Sequence, residues 1–216
     1  MEYCALIVAA GKGKRMGLGY NKVFFQLNEE QTVLERTISI FETDERCKEI
    51  VVVVANSEYQ RCLEKYKKGN VVFVSGGETR MNSVYNGLMA VKEDIVLIHD
   101  GARPFVSIGT IDRVLDKMDD FQAVIPCVKI KDTVKVVRED IVNTTLVRSE
   151  LRQIQTPQAF NTDLIIGCYK KAFEQNIDAT DDAQVVELCS NEPIYTVEGE
   201  YENIKITTLS DLKFRY

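Results

Sequence analysis

Along this chain apolar residues come in short unbroken blocks, and between the blocks they recur every three or four positions. Residues 3–10 make the first block and read as a buried strand. In residues 49–55, Ile50 is followed by Val51 to Val54 without interruption, the pattern of a strand covered on both faces. Residues 71–74, 94–99 and 122–128 read the same way. The intervening stretches carry helical spacing. Residues 32–42 place Val33, Leu34, Ile38 and Phe41 on one face, and residues 79–91 do so with Met81, Val84, Leu88 and Val91. Residues 107–118, 163–175 and 181–190 read as further helices. This alternation predicts an α/β fold, Rossmann-like, with a mostly parallel sheet and helices on both faces. Ligands of such sheets sit beyond the carboxyl ends of the strands, so the loops there are where chemistry is sought.

Residues 129–150 break the alternation. They are rich in valine and threonine, lack a helical stripe, and offer Arg138-Glu139-Asp140 as a turn. A β-hairpin projecting from the sheet is expected; the pattern by itself says no more than an exposed edge hairpin. With no repeat, low-complexity segment or linker visible, residues 1–216 are expected to form one domain, with 129–150 as its arm.

Composition narrows the function. A chain of 216 residues suits one α/β domain with a sizeable core. A formal net charge of −6 argues against nucleic-acid or membrane binding, which needs a positive surface. Between positions 11 and 28, however, Lys12, Lys14, Arg15 and Lys22 meet no acidic residue, which suits a small anionic ligand. The six cysteines (Cys4, Cys47, Cys62, Cys127, Cys168 and Cys189) form no C-x-x-C pair, and His99 is the single histidine. That speaks against zinc and for reduced, mostly buried thiols in a cytoplasmic protein. The start, Met1-Glu2-Tyr3, lacks the basic residues of a signal peptide, and no apolar run approaches the ~20 residues of a membrane span.

Six segments carry candidate chemistry. Ala9-Ala10-Gly11-Lys12-Gly13-Lys14-Arg15-Met16-Gly17 follows the first strand; its glycines let backbone N–H groups approach a phosphate, and Lys22 follows on the same loop. It is neither a P-loop nor a dinucleotide fingerprint. Gly76-Gly77-Glu78-Thr79-Arg80-Met81-Asn82-Ser83 joins a strand to a helix start, a second place for an anion or a closely approached base. In His99-Asp100-Gly101-Ala102-Arg103-Pro104-Phe105, Asp100 and Arg103 read equally well as ligand contacts or as a structural ion pair, while His99 reads as a packed strand-end residue. Arg148 with Gln155-Thr156-Pro157-Gln158-Ala159-Phe160 is the fourth segment. In Thr180-Asp181-Asp182-Ala183, Thr180 or Asp181 also suits a helix N-cap. In Asn203-Ile204-Lys205-Ile206-Thr207-Thr208, an inward Lys205 needs an anionic partner, whereas an outward one is an edge-strand lysine.

Together, and in this order from Ala9 to Asp211, the segments resemble the 2-C-methyl-D-erythritol 4-phosphate cytidylyltransferases of the non-mevalonate isoprenoid pathway. The first segment marks only the wider nucleotidyltransferase superfamily; H-D-G-A-R-P-F, D-T-V-K, Q-T-P-Q-x-F and N-I-K-I-T are more specific. The resemblance implies transfer of CMP from CTP to a small polyol phosphate, with Mg²⁺ or another divalent cation on the CTP phosphates. It implies Arg15 and Lys22 as catalytic groups on the triphosphate, and Arg148 and Lys205 as those that position the attacking phosphate. It implies CTP binding at Ala9, Ala10, Gly11, Gly13, Lys14, Gly76, Arg80, Ser83, Asp100 and Gly101. For the polyol phosphate it implies Asp100, Arg103, Thr133, Arg148, Thr156, Thr180 and Lys205, with Asp100 also a metal contact through water. It further implies a homodimer in which the 129–150 arm brings Thr133 and Arg148 to the partner's site. One departure is visible: Asn21 precedes Lys22 where the family commonly has proline, which is expected to loosen the loop slightly. The alternatives are a ribitol 5-phosphate cytidylyltransferase and a non-catalytic nucleotide-binding regulator on the same fold. Gly101-Ala102, Ser83-Val84 and Asp132-Thr133 disfavour the first, and Arg15, Lys22, Arg148 and Lys205 the second.

Overall fold

The strands assemble because their side chains divide between two apolar clusters. In β1 (Tyr3–Val8), Tyr3, Ala5 and Ile7 enter one cluster and Cys4 and Leu6 the other. In β2 (Cys47–Val54), Ile50, Val52 and Val54 face the first cluster and Val51 and Val53 the second. A strand apolar at every position is therefore a strand with helices over both faces. The computed structural model describes residues 1–11, 19–66, 69–208 and 210–211.

One face is covered by α1 (Val33–Glu42), through Leu34, Ile38 and Phe41, and by α4 (Ile108–Leu115), through Ile111, Val114 and Leu115. The other is covered by α3 (Arg80–Leu88), α5 (Thr162–Glu174) and α6 (Asp182–Cys189), through Val84, Leu88, Ile165, Tyr169, Val185 and Val186. Each fully buried Val, Leu or Ile contributes roughly 1.5–3 kcal/mol. An exposed pair such as Lys117–Asp120 contributes about 0–1 kcal/mol, so the core decides the fold. All six cysteines are free and buried. Helix starts follow the sequence: Thr32 and Thr79 close capping boxes with Glu35 and Asn82, and Asp181 caps α6.

The sheet runs β10-β5-β9-β4-β1-β2-β3, with β3 at Val71–Ser75, β4 at Ile95–Asp100, β5 at Ala123–Lys129, β9 at Gln158–Asn161 and β10 at Tyr195–Glu198. All pairings on this path are parallel except those of β9, which lies antiparallel between β4 and β5. A short β8 (Arg152–Ile154) also pairs antiparallel with β5. The mostly parallel Rossmann-like sheet is thus present, with an antiparallel insertion that the apolar pattern does not announce. Between β5 and β8, β6 (Lys135–Arg138) and β7 (Ile141–Thr145) form the expected hairpin as a separate two-stranded sheet. Its turn residues Glu139 and Asp140 both have positive φ, 49° and 62°, as a two-residue turn matched to strand twist requires. The helix α2 (Asn56–Lys65) escapes the apolar pattern because Cys62 is the one residue of it that is buried.

Candidate active site

β4, β1, β2 and β3 run parallel and side by side, and a cleft of about 490 Å³ lies beyond their carboxyl ends, fed by β1, β3 and β4. Val8, Ala9, Ala10 and Gly11 continue from β1 along its floor. Gly77, Glu78, Thr79, Arg80 and Ser83 form the wall where β3 turns into α3. Asp100 and Ala102 enter from β4, Lys205 and Thr207 from the segment after β10, and Asn21, Lys22 and Val23 from the loop after β1.

The glycine turn needs its glycines. A Cβ on Gly76 would stand 2.7 Å from the Ala10 Cβ and 3.0 Å from Ser83 Oγ, so only glycine lets this turn close onto the end of β1. Ser83 Oγ accepts from the Gly77 amide at 3.1 Å and donates to the Thr79 carbonyl at 2.8 Å, which holds the turn over the first residues of α3.

Charge concentrates at Asp100. Lys205 Nζ stands 2.9 Å from its Oδ2, and Arg103 Nε approaches the same oxygen at 3.5 Å. Burial would raise this carboxyl, but the attraction of Lys205 and Arg80 prevails and holds it at about 2. Asp100 is therefore a carboxylate throughout the neutral range. Arg103 is buried, its pKa lowered by that burial, and Nη1 donates to the Asn203 carbonyl at 2.6 Å. Because the Ile206 amide also donates to the Ala102 carbonyl, the strip bearing Lys205 is fastened to the turn after β4.

Beneath Asp100 lies a chain of hydrogen bonds whose direction can be assigned. The Arg103 carbonyl can only accept, so His99 Nε2 donates to it at 3.0 Å, and Nδ1 then accepts from the Thr156 hydroxyl at 3.0 Å. The same Thr156 oxygen accepts from the Asp100 amide at 3.1 Å. Fully buried, His99 is driven down to about 4 by desolvation and is neutral. Both its nitrogens are engaged inside the protein, which makes it a packing and orienting residue, as its strand-end position suggested.

The structure brings Ala9, Ala10, Gly11, Lys22, Arg80, Ser83, Asp100 and Lys205 to one cleft. Gly76 and Gly101 sit in the turns that shape it. Arg103 and Thr156 lie buried behind Asp100 rather than in the lining. Thr180 bonds Gln184 on the exposed side of the α6 cap, while Thr133 and Arg148 are exposed on the arm and its base. Arg148 Nη1 donates to the Lys131 carbonyl at 2.8 Å, beside a second, open and basic hollow lined by Lys129, Lys131, Arg148 and Arg152. Gly13, Lys14 and Arg15 lie outside the described residues.

Some of the wiring was not anticipated. Asn21 is buried; its Nδ2 donates to the Ala9 carbonyl at 2.7 Å and to Glu58 at 3.1 Å, and its Oδ1 accepts from the Val23 amide. This ties the turn Lys22–Phe24 to the end of β1, so the expected loosening is met by side-chain bonds in place of a ring. A polar residue next to a candidate lysine was the available signal. Asp182 gave none, since its partners come from distant elements.

Comparison with known proteins agrees with this geometry. The profile of the IspD family, 2-C-methyl-D-erythritol 4-phosphate cytidylyltransferase, matches residues 3–215. The chain is 45% identical over 219 residues to the 2-C-methyl-D-erythritol 4-phosphate cytidylyltransferase of Geobacillus thermodenitrificans, covering 99% of this chain and 95% of that one. Among solved structures it resembles the Francisella tularensis 2-C-methyl-D-erythritol 4-phosphate cytidylyltransferase, with TM-score 0.87, 32% identity and coverage of 99% and 98% of the two chains. The 4-diphosphocytidyl-2C-methyl-D-erythritol synthase of Anaerococcus prevotii is similar with TM-score 0.85, 35% identity and coverage of 99% and 94%.

Proposed function

The chain belongs to the 2-C-methyl-D-erythritol 4-phosphate cytidylyltransferase family, and from this we propose how its cleft carries the family's reaction. That reaction joins CMP from CTP to 2-C-methyl-D-erythritol 4-phosphate and releases pyrophosphate. The observation that carries the assignment of the cleft is the convergence of Lys22, Arg80, Asp100 and Lys205 with a glycine turn at the ends of three parallel strands.

A phosphate monoester, with a second pKa near ~6, is mostly a dianion at neutral pH. One of its oxygens attacks the α-phosphorus of CTP; a new P–O bond forms as the bond to the β-phosphate oxygen breaks, and pyrophosphate departs. No proton has to be removed, which suits a site whose histidine is buried and neutral. The protein's tasks are positioning and charge neutralisation. In this reading the backbone of Ala9 to Gly11 and the Gly76–Ser83 turn receive the nucleotide. Lys22 neutralises the triphosphate, the role that the family resemblance also gives Arg15. Lys205 exchanges its bond to Asp100 for the incoming phosphate, and Asp100 holds a polyol hydroxyl.

Mg²⁺ fits the donor set only in company with the substrate. Among the described residues no group of three or more His, Cys, Asp or Glu could hold a metal. Asp100 and Glu78 are carboxylates of the lining, and Mg²⁺ commonly takes one or two carboxylates plus substrate phosphates. Once bound it neutralises triphosphate charge.

The homodimer belongs to the same proposal. The hairpin exposes Val137, Ile141 and Val142 to 53%, 72% and 53%, an apolar surface that a second copy would cover. Arg148, outside the cleft's lining, would then serve the partner's site, with Thr133. The six buried free thiols support a reducing, cytoplasmic setting. Neither ribitol 5-phosphate turnover nor a purely regulatory role is favoured by the family. The direct test is pyrophosphate release from CTP with methylerythritol 4-phosphate and ribitol 5-phosphate side by side, with and without chelator. Faster release with ribitol 5-phosphate, or none with either, would refute the assignment.

A further inference from the structure

The cation on the glycine-turn side of the cleft is held from behind by a carboxylate that no solvent reaches. Asp182, the first residue of α6, is fully buried. Its two oxygens receive Arg80 Nη1 at 3.0 Å and Nη2 at 2.7 Å, and its Oδ1 also accepts from the Tyr169 hydroxyl at 2.6 Å. The turn before it is equally determined. Gln158, itself buried, donates through Nε2 to Asp181 at 2.9 Å and accepts the Ala183 amide at 3.0 Å. Two sequence segments without an evident common purpose, Gln155–Phe160 and Thr180–Ala183, thus meet to place one carboxylate.

We propose that Asp182 and Tyr169 are positioning residues for nucleotide binding, fixing the Arg80 guanidinium at the cleft wall so that it meets CTP already oriented. Three arguments carry this. An arginine side chain loses considerable rotamer freedom when ordered, and a buried bidentate partner removes that loss from the binding step. The planar fork admits one geometry against a carboxylate, so Asp182 sets direction as well as place. Burying a carboxylate is costly without compensation, and here the compensation consists of the one arginine that lines the cleft among the described residues, plus a tyrosine.

The inference rests on the cleft being the CTP site, and the test separates the two. Kinetic constants for CTP and for methylerythritol 4-phosphate are measured on wild type, Arg80→Ala, Asp182→Asn, Tyr169→Phe and the double variant Arg80→Ala/Asp182→Asn, each with its thermal midpoint. Since a displacement of about 1 Å can cost up to ~10²-fold, Asp182→Asn is expected to lower kcat/KM for CTP by about 10- to 100-fold. KM for the polyol phosphate should stay within about twofold, and the double variant should be no worse than Arg80→Ala, because Asp182 acts through Arg80. A lowered midpoint with unchanged CTP constants would make Asp182 merely structural and overturn the proposal. So would an equal rise in both KM values, or losses that multiply in the double variant. Should Asp182→Asn fail to fold, Tyr169→Phe keeps the ion pair and must still weaken CTP selectively; unaltered constants there also overturn it. Failure of the wild type to use CTP would instead remove the reading of the cleft, and this inference with it.

Discussion

Lys205 Nζ and Asp100 Oδ2 stand 2.9 Å apart, yet the lysine side chain remains 38% exposed. Asp100 is only 12% exposed, so removing the ammonium leaves a largely buried carboxylate with Arg103 as its remaining close cation, at a cost of up to about 3–5 kcal/mol. The same ammonium facing a phosphate serves the reaction as well, because removing a preorganised charge-stabilising group typically costs ~10²–10³ in rate. Lys205→Met should therefore lose about that much turnover per folded molecule, beyond the lowered thermal midpoint that the uncovered Asp100 brings. Normal turnover per folded molecule would remove Lys205 from the mechanism.

His99 makes the fold sensitive to mild acid. Its folded pKa of about 4 lies below the unfolded value near ~6.5, so between these limits the unfolded chain binds a proton that the folded chain refuses. Stability accordingly rises with pH through this window. It is complete above about 6.5 and declines as pH falls toward 4, by roughly 3 kcal/mol in all. Urea midpoints recorded from pH 7 to 4 should show the slope, and His99→Asn should flatten it. A wild-type curve that is level over that range would contradict the assignment.

Asn21 has φ −67°, close to the angle proline imposes, and anchors its turn by side-chain bonds instead. Asn21→Ala keeps neither device and strands the Ala9 carbonyl, a loss of about 1–3 kcal/mol. Asn21→Pro keeps the backbone angle. The expected order of kcat is wild type, then Pro, then Ala, with KM for CTP changed less than kcat. An alanine variant as active as the proline variant would show that the anchor does not serve Lys22.

If the arm serves a neighbouring site, two dead enzymes can make a live one. Arg148→Ala and Lys22→Ala, each inactive alone, are mixed and reassociated. When Arg148 acts across the interface, one site of each mixed dimer carries both defects and the other neither, and activity returns. When Arg148 acts within its own chain, every site keeps one defect. Continued inactivity with mixed dimers demonstrated by mass would leave the arm as an edge hairpin.

What the chain revealed in advance was what short-range pattern encodes. Unbroken valines at 51–54 announced a two-faced strand, and Thr32 and Thr79 announced helix starts. The glycine turn and Lys205 were legible because their chemistry is local and unusual for its surroundings. Illegible were elements whose reason for existing lies elsewhere. α2 buries only Cys62, so it has no apolar stripe. β9 is four residues long, and its Gln158 is buried only because Asp181 and Ala183 await it. Arg103 and Thr156 belonged to the right neighbourhood, but which of them would reach the cleft and which would lie behind Asp100 depended on the packing of 203–206 against 99–103, a contact across about half the chain.

The antiparallel strand β9 also governs when the site comes into being. β4 and β5 are made before it, yet β9 is the element that lies between them. During synthesis the growing chain can pair β1, β2, β3 and β4 while β5 still waits for its neighbour. Only when Gln158–Asn161 threads into the gap does the sheet become continuous. That same passage delivers Thr156 beneath Asp100 and Gln158 to the start of α6. A half-made chain thus has a glycine turn without the groups that orient its charges, and competence to react waits longer still, for Asp182 and Lys205, which follow β9 in the chain.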